Sequence, residues 1–108
     1  MSSDLPEPAV PRWTFLTHHA RVLLEIGRDP EARLRDIADA IGITERTVQT
    51  IVNDLHEAGY LTRERNGRRN RYQLNLDERF RYPTEADLPV RRLIDMFSER
   101  DLHNSGPR

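Results

Sequence analysis

The chain has 108 residues, a formal net charge of −1 and no cysteine, and its length suits a single domain. The lack of cysteine excludes disulfides, thiolate zinc sites and thiol catalysis. No apolar run reaches the roughly 18 residues that a membrane-spanning helix needs. We therefore expect a cytoplasmic protein with no membrane partner.

The first predicted elements are an arm and a helix. Residues 1–11 contain three prolines and two acids and are predicted to form a disordered arm. Residues 13–26 carry apolar side chains at helical spacing over a wide face. Such a helix is either central to the core or shared between the core and a partner subunit. Gly27 is expected to cap its end.

Two further helices, residues 33–41 and 45–58, are predicted on either side of a short turn at Gly42. Both carry apolar residues at positions i, i+3, i+4 and i+7. Thr44 precedes the second of them and is a favoured N-cap residue. The apolar sets are Leu34, Ile37, Ala38 and Ile41 in the first helix, and Val48, Ile51, Val52 and Leu55 in the second.

The opposite face of residues 45–58 carries Arg46, Gln49, Thr50 and Asn53 at the same spacing. A solvated helix face more often carries Glu and Lys pairs. Arg, Gln and Asn read guanine and adenine edges through paired hydrogen bonds, and Thr contacts the thymine methyl group. The pattern favours a helix that enters the major groove of DNA. The alternative is a polar surface helix with no partner.

A β-hairpin is predicted next, because Asn66-Gly67 lies between two strand-like segments. A two-residue turn at that dipeptide would place Arg65 opposite Arg68 and pair Leu61 with Tyr72 near the base. All 17 basic residues of the chain are arginine, and five of them lie between residues 60 and 73 with one acid.

The charge of this hairpin points to a polyanion. Like charges that face each other destabilise a sheet. Glu64 offers a partner to Arg69, whereas Arg63, Arg65, Arg68 and Arg71 have no evident acid nearby in the sequence. A bound polyanion would relieve the repulsion, and Gly67 allows a close approach of the backbone. The alternative is a charged hairpin that protects an edge strand from aggregation.

The C-terminal part is predicted as a linker, residues 77–88, and a helix, residues 89–102, which starts at Pro89. The apolar stripe of this helix must be covered, either by its own domain or by the same helix of a second chain. We favour a homodimer, the commonest homo-oligomer. The stripe consists of Val90, Leu93, Ile94 and Phe97.

Catalysis and metal binding have little support. The chain has no glycine-rich phosphate loop, nucleophile motif or paired-carboxylate arrangement. Its adjacent histidines, His18 and His19, diverge on a helix, and His19 is expected in the core or an interface. We predict no enzyme activity, no catalytic residue, no metal site and no cofactor.

The chain contains, in order, the segments LRDIADAIGIT (34–44), TVQTIVNDL (47–55), EAGYLTR (57–63) and GRRNRY (67–72). These segments resemble winged helix-turn-helix transcriptional regulators of the MarR type. The similarity covers about residues 13–75, with residues 45–58 as the recognition helix and residues 60–74 as the wing. It implies a mainly α fold with a small β-hairpin (α+β), followed here by a C-terminal amphipathic helix. MarR proteins form their dimer and ligand pocket with longer terminal helices, so an effector for this chain is unknown.

The prediction is therefore sequence-specific binding of double-stranded DNA by a transcriptional regulator, a repressor, with a winged helix domain at residues 12–76. A rival interpretation is a winged helix that docks on another protein. A second rival, single-stranded RNA binding, lacks an exposed aromatic platform in the wing. The predicted DNA-binding residues are Thr44, Arg46, Thr47, Gln49, Thr50 and Asn53 in the recognition helix, and Arg63, Arg65, Gly67, Arg68, Arg69 and Arg71 in the wing.

Overall fold

The computed structural model describes residues 11–104, except for the side chains of residue 66 and residues 99–104. The predicted arm lies almost wholly outside this range. Helices and one antiparallel hairpin give the α+β layout of a winged helix, as predicted. The elements are α1 (His18–Arg28), α2 (Leu34–Ile41), α3 (Glu45–Glu57), β1 (Leu61–Asn66), β2 (Arg69–Leu74), a short 3-10 helix (Pro83–Glu85) and α4 (Arg91–Asn104).

The first helix is displaced from its predicted bounds at both ends. It begins at His18 rather than at residue 13, because the Thr17 hydroxyl accepts a hydrogen bond from the Ala20 N–H at 3.1 Å and caps the first turn. At the other end Gly27 is not the cap. The backbone N–H of Asp29 bonds to the Glu25 carbonyl at 3.1 Å, so the helix continues past the glycine.

The turn between α2 and α3 follows the prediction. Gly42 adopts a left-handed conformation, with φ of 89°, which glycine accepts without steric cost. Its N–H bonds to the Ala38 carbonyl at 2.7 Å and closes α2. Thr44 caps α3, since its hydroxyl accepts a hydrogen bond from the Thr47 N–H at 3.1 Å.

The hairpin register differs from the predicted one. Asn66 pairs with Arg69, so Gly67 and Arg68 form the turn, and Leu61 lies opposite Leu74 rather than Tyr72. Gly67 has a φ of 68° and is the only turn residue with a positive φ. A type II′ turn has Gly at its first central position, whereas an Asn-Gly type I′ turn needs positive φ at both residues.

The two registers differ in which charges face each other. In the observed one Arg65 lies opposite Asn70, and Glu64 lies opposite Arg71. The predicted Arg65–Arg68 pair is therefore wrong, and so is the predicted Leu61–Tyr72 pair. The hydrophobic pattern cannot separate these registers, because both keep Leu61 and Tyr72 on one face of the hairpin.

The core lies between the helices and the base of the wing. Val22, Val48, Val52 and Leu61 have at most 1% of their surface exposed. Burial of such apolar side chains is the main stabilising term for a domain of this size.

The C-terminal segment packs against its own domain. Val90 and Ile94 are buried, and α4 contacts α1. Pro89 does not start the helix as predicted, because it forms a β-bridge with Arg79 and α4 begins at Arg91. Within residues 11–104 no helix has the length and hydropathy needed to span a bilayer.

Candidate nucleic-acid interface

Helix α3 separates a buried face from a polar one. Its apolar side chains, including Val48 and Ile51, pack inside the domain and hold the helix in place. We define the outer face of α3 as the four polar residues predicted from the sequence to read bases. Among these Arg46, Thr50 and Asn53 are exposed and Gln49 is half-buried.

The outer face is organised by its own hydrogen bonds. The side-chain nitrogen Nε2 of Gln49 donates to the side-chain oxygen Oδ1 of Asn53 at 3.1 Å, as expected for residues one helical turn apart. This bond leaves the Gln49 oxygen as an acceptor and the Asn53 nitrogen as a donor. An adenine edge in the major groove requires one donor and one acceptor. The outer face is thus equipped to bind a base without losing its internal bond.

The remaining residues of the outer face carry a hydroxyl and a positive charge. The Thr50 hydroxyl donates to the Arg46 carbonyl at 3.2 Å, a common arrangement for Thr within a helix. The Arg46 guanidinium has no ion pair among the residues that the structure describes. A cation that lacks a protein partner is available to a phosphate or to guanine.

Thr44 and Thr47 lie at the start of α3. Their hydroxyl oxygens are 2.9 Å apart, and the Thr44 hydroxyl also accepts from the Thr47 N–H. Both side chains therefore have a structural role in capping the helix, besides the DNA contact predicted for them. The N-terminus that they cap carries the positive end of the helix dipole, which favours an anion.

The wing carries two groups of arginines. Arg63, Arg65 and Arg68 are exposed and make no ion pair within the described part of the chain. The Arg65 Nε donates weakly to the Gly67 carbonyl at 3.4 Å. In contrast, Arg69 and Arg71 both face a carboxylate, and the distances differ between the two.

That carboxylate belongs to Glu31, in the loop between α1 and α2. Arg71 Nη1 lies 2.8 Å from Glu31 Oε2, and Arg69 Nη1 lies 3.9 Å from Glu31 Oε1. The expectation that Arg71 lacks an acid is therefore wrong, as is the Glu64 partner suggested for Arg69. Glu31 precedes Arg71 by 40 residues, so the order of charges within the hairpin does not indicate this pair.

The wing is also fixed to the body through its backbone. The Tyr72 N–H donates to the Pro30 carbonyl at 2.9 Å, so the outer edge of β2 is bonded to the α1–α2 loop. At the start of the hairpin, the Tyr60 hydroxyl donates to the Arg79 carbonyl. Burial raises the pKa of Tyr60, the negative charge of Glu78 adds to this, and Arg81 opposes it. The hydroxyl therefore stays protonated as a donor at neutral pH.

One contact of α3 was missed in the sequence. His19 Nε2 lies 2.9 Å from Asp54 Oδ2, and this pair joins α1 to α3. Both side chains are about half exposed, so His19 does not lie in the core, and its place in an interface stays a prediction. Among the described residues no group of three or more His, Cys, Asp or Glu side chains is arranged to hold a metal ion.

Comparison with known proteins identifies the family. A family model described as the MarR family matches residues 14–71, which include α1, α2, α3, β1 and the start of β2. No curated protein matches the chain. The MarR family consists of transcriptional regulators that bind DNA, generally as dimers. Because the match covers more than half of the 108 residues, the chain belongs to the MarR family.

Proposed function

We propose that this protein binds specific sites in double-stranded DNA and represses transcription by occupying them. The observation that supports this most is the outer face of α3. It carries one cation, two amides and a hydroxyl over a buried inner face, and it has no carboxylate. In a helix-turn-helix domain this is the face that enters the major groove.

The roles proposed for the two regions differ. The outer face of α3 reads base edges through Arg46, Gln49, Thr50 and Asn53. Thr44 and Thr47, at the start of the helix, contact the DNA backbone. The wing binds phosphates or the minor groove through its arginines, and Gly67 brings its turn close to the DNA. Among the described residues Arg63, Arg65 and Arg68 have no carboxylate partner, whereas Arg69 and Arg71 must leave Glu31 to reach the DNA.

The proposal includes a homodimer that faces a palindromic operator, since a two-fold dimer presents two α3 helices about one DNA turn apart. The apolar stripe of α4 is largely covered by its own domain. Other apolar side chains are exposed at Trp13 (66%), Phe15 (90%) and Met96 (57%), and these are our candidates for the subunit contact. A regulator of this kind acts on the chromosome, which corresponds to the expected cytoplasmic location.

An NMR titration of isotope-labelled protein with a mixed-sequence duplex tests the assignment of the surface. We expect the largest amide shifts at residues 44–53 and 63–71, and little change along α4. Shifts confined to α4, or no shifts at low salt, would contradict the proposal. The absence of shifts would also favour the protein-docking alternative, in which the winged helix recognises another protein.

A further inference from the structure

Glu31 stands out because its carboxylate occupies a place that suits a DNA phosphate. Each of its two oxygens faces a different wing arginine, Arg71 at 2.8 Å and Arg69 at 3.9 Å. Arginine pairs with carboxylate and with phosphate through the same planar donors. A phosphate can therefore take the place of the carboxylate that Arg71 contacts directly and Arg69 faces at a longer distance.

The surroundings of Glu31 are cationic and open. An open cleft of about 350 Å³ lies between the α1–α2 loop and the wing, and its lining includes Glu31, Arg33, Arg68 and Arg69. Arg33 makes no ion pair among the described residues. Three arginines and one glutamate thus line the cleft, an excess of positive charge that favours an anion, and Arg71 contacts Glu31 from outside this lining.

The position of Glu31 is fixed by its own loop. Its backbone N–H donates to the Asp29 carboxylate at 3.0 Å, and the Ala32 N–H donates to the Asp29 carbonyl at 3.0 Å. The hydrogen bond from the Tyr72 N–H to the Pro30 carbonyl holds β2 beside this loop. These bonds fix the backbone at Glu31 beside β2, within reach of both arginines.

We infer that Glu31 is a built-in competitor of DNA phosphates, which withholds Arg69 and Arg71 from the duplex and so limits binding to sequences outside the operator. This inference rests on the proposed function. All three side chains are partly exposed, with 37% of Glu31, 47% of Arg69 and 52% of Arg71 accessible. Exposed ion pairs are weak, so a phosphate can displace the carboxylate when the operator holds the wing in place.

The test compares Glu31→Gln with the wild-type protein in binding to a random-sequence duplex at several salt concentrations. Each phosphate contact contributes about 0.9 to the slope of log K against log salt. Removal of the competitor is expected to steepen the slope by about one to two units and to tighten binding at low salt. Glu25→Gln is the matched control, because it makes the same change of charge in a different surface pair, that of Glu25 with Arg28 at 3.0 Å.

A second pair of variants separates competition from a purely structural role. On the random-sequence duplex, Arg71→Ala should change the salt slope little in the wild-type protein, because Glu31 withholds Arg71 there. In the Glu31→Gln background the same substitution should lower the slope by about one unit. If Glu31 only braced the wing, Glu31→Gln would leave the slope unchanged or shallower, and Arg71→Ala would have the same effect in both backgrounds. Either result would overturn the inference.

The same titrations distinguish this inference from the proposed function. Wild-type protein that fails to bind duplex DNA at low salt would overturn both. Wild-type protein that binds with a steep slope, with an unchanged slope in Glu31→Gln, would overturn the role of Glu31 alone.

Discussion

Helix α3 and the wing present polar surfaces that are held in different ways. Residues of α3 such as Val48 and Val52 have no exposed surface, so its outer face lies on a rigid support. The wing is anchored at its base by Leu61 and Tyr72, and its turn at Gly67 extends away from the core. One region is therefore fixed along its length, and the other is fixed at one end.

The two surfaces also differ in the side chains that they present to a partner. Three of the four side chains on the outer face of α3 are neutral and require a fixed geometry to distinguish bases. The wing has cations that attract phosphates at any sequence. The proposed function therefore assigns specificity to the packed helix, and much of the affinity and its salt dependence to the hairpin.

The largest expected effect is on the support of α3. Ile51→Ala removes a side chain that is 3% exposed, and we expect it to lower the free energy of unfolding by about 2–5 kcal/mol. Urea denaturation measures the loss. Thr50→Ala is the control, because Thr50 directly precedes Ile51 but lies on the outer face. This variant should change stability by less than about 0.5 kcal/mol. Similar losses for both variants would contradict the division of α3 into two faces.

The next effect concerns base reading. Gln49→Ala should weaken binding to the operator by about 1–3 kcal/mol and leave random-duplex binding unchanged, because the proposed function assigns the lost amide to a base edge. Competition titrations with both duplexes measure the difference. An equal loss on both duplexes would refute the role assigned to Gln49.

A smaller effect is expected from the cap of α3. Thr44→Ala removes the hydroxyl that accepts from the Thr47 N–H, and should lower the free energy of unfolding by about 0.5–2 kcal/mol. Thermal unfolding measures the change, and Thr44→Ser, which keeps an N-cap hydroxyl, should recover most of it. If both variants lose stability equally, the hydroxyl does not stabilise the helix start.

The smallest effect on any one sequence is expected in the wing. Arg68→Ala removes an exposed cation from the turn, and should weaken binding to all duplexes with a salt slope lower by about one unit. A loss restricted to the operator would move sequence reading from α3 to the wing. It would thereby contradict the distinction between the two regions.

The sequence predicted the parts of the fold that depend on local signals. Gly42 and Thr44 mark the turn and the start of α3, and the period of the apolar residues identifies its buried face. The hairpin register was not predictable in this way, because the alternation of Leu61 and Tyr72 fits two registers and the difference depends on the conformation of Gly67.

Contacts between distant segments could not be predicted from the sequence either. Glu31 meets the wing, and His19 meets Asp54, only after the loops and helices have packed. Both contacts bear on the candidate site. Glu31 faces two of the wing arginines, and the His19–Asp54 pair joins α1 to α3. Spacing along the chain indicates neither, because neither pair lies within one strand or one helical turn.

The most direct test of this account is selection of bound sequences from a pool of random duplex DNA at two salt concentrations. A dimer that reads bases through α3 and binds phosphates through the wing should enrich a palindrome, with binding that weakens steeply as salt rises. Steep salt dependence without an enriched sequence would contradict base reading by α3. Absence of binding at low salt would contradict DNA binding as a whole.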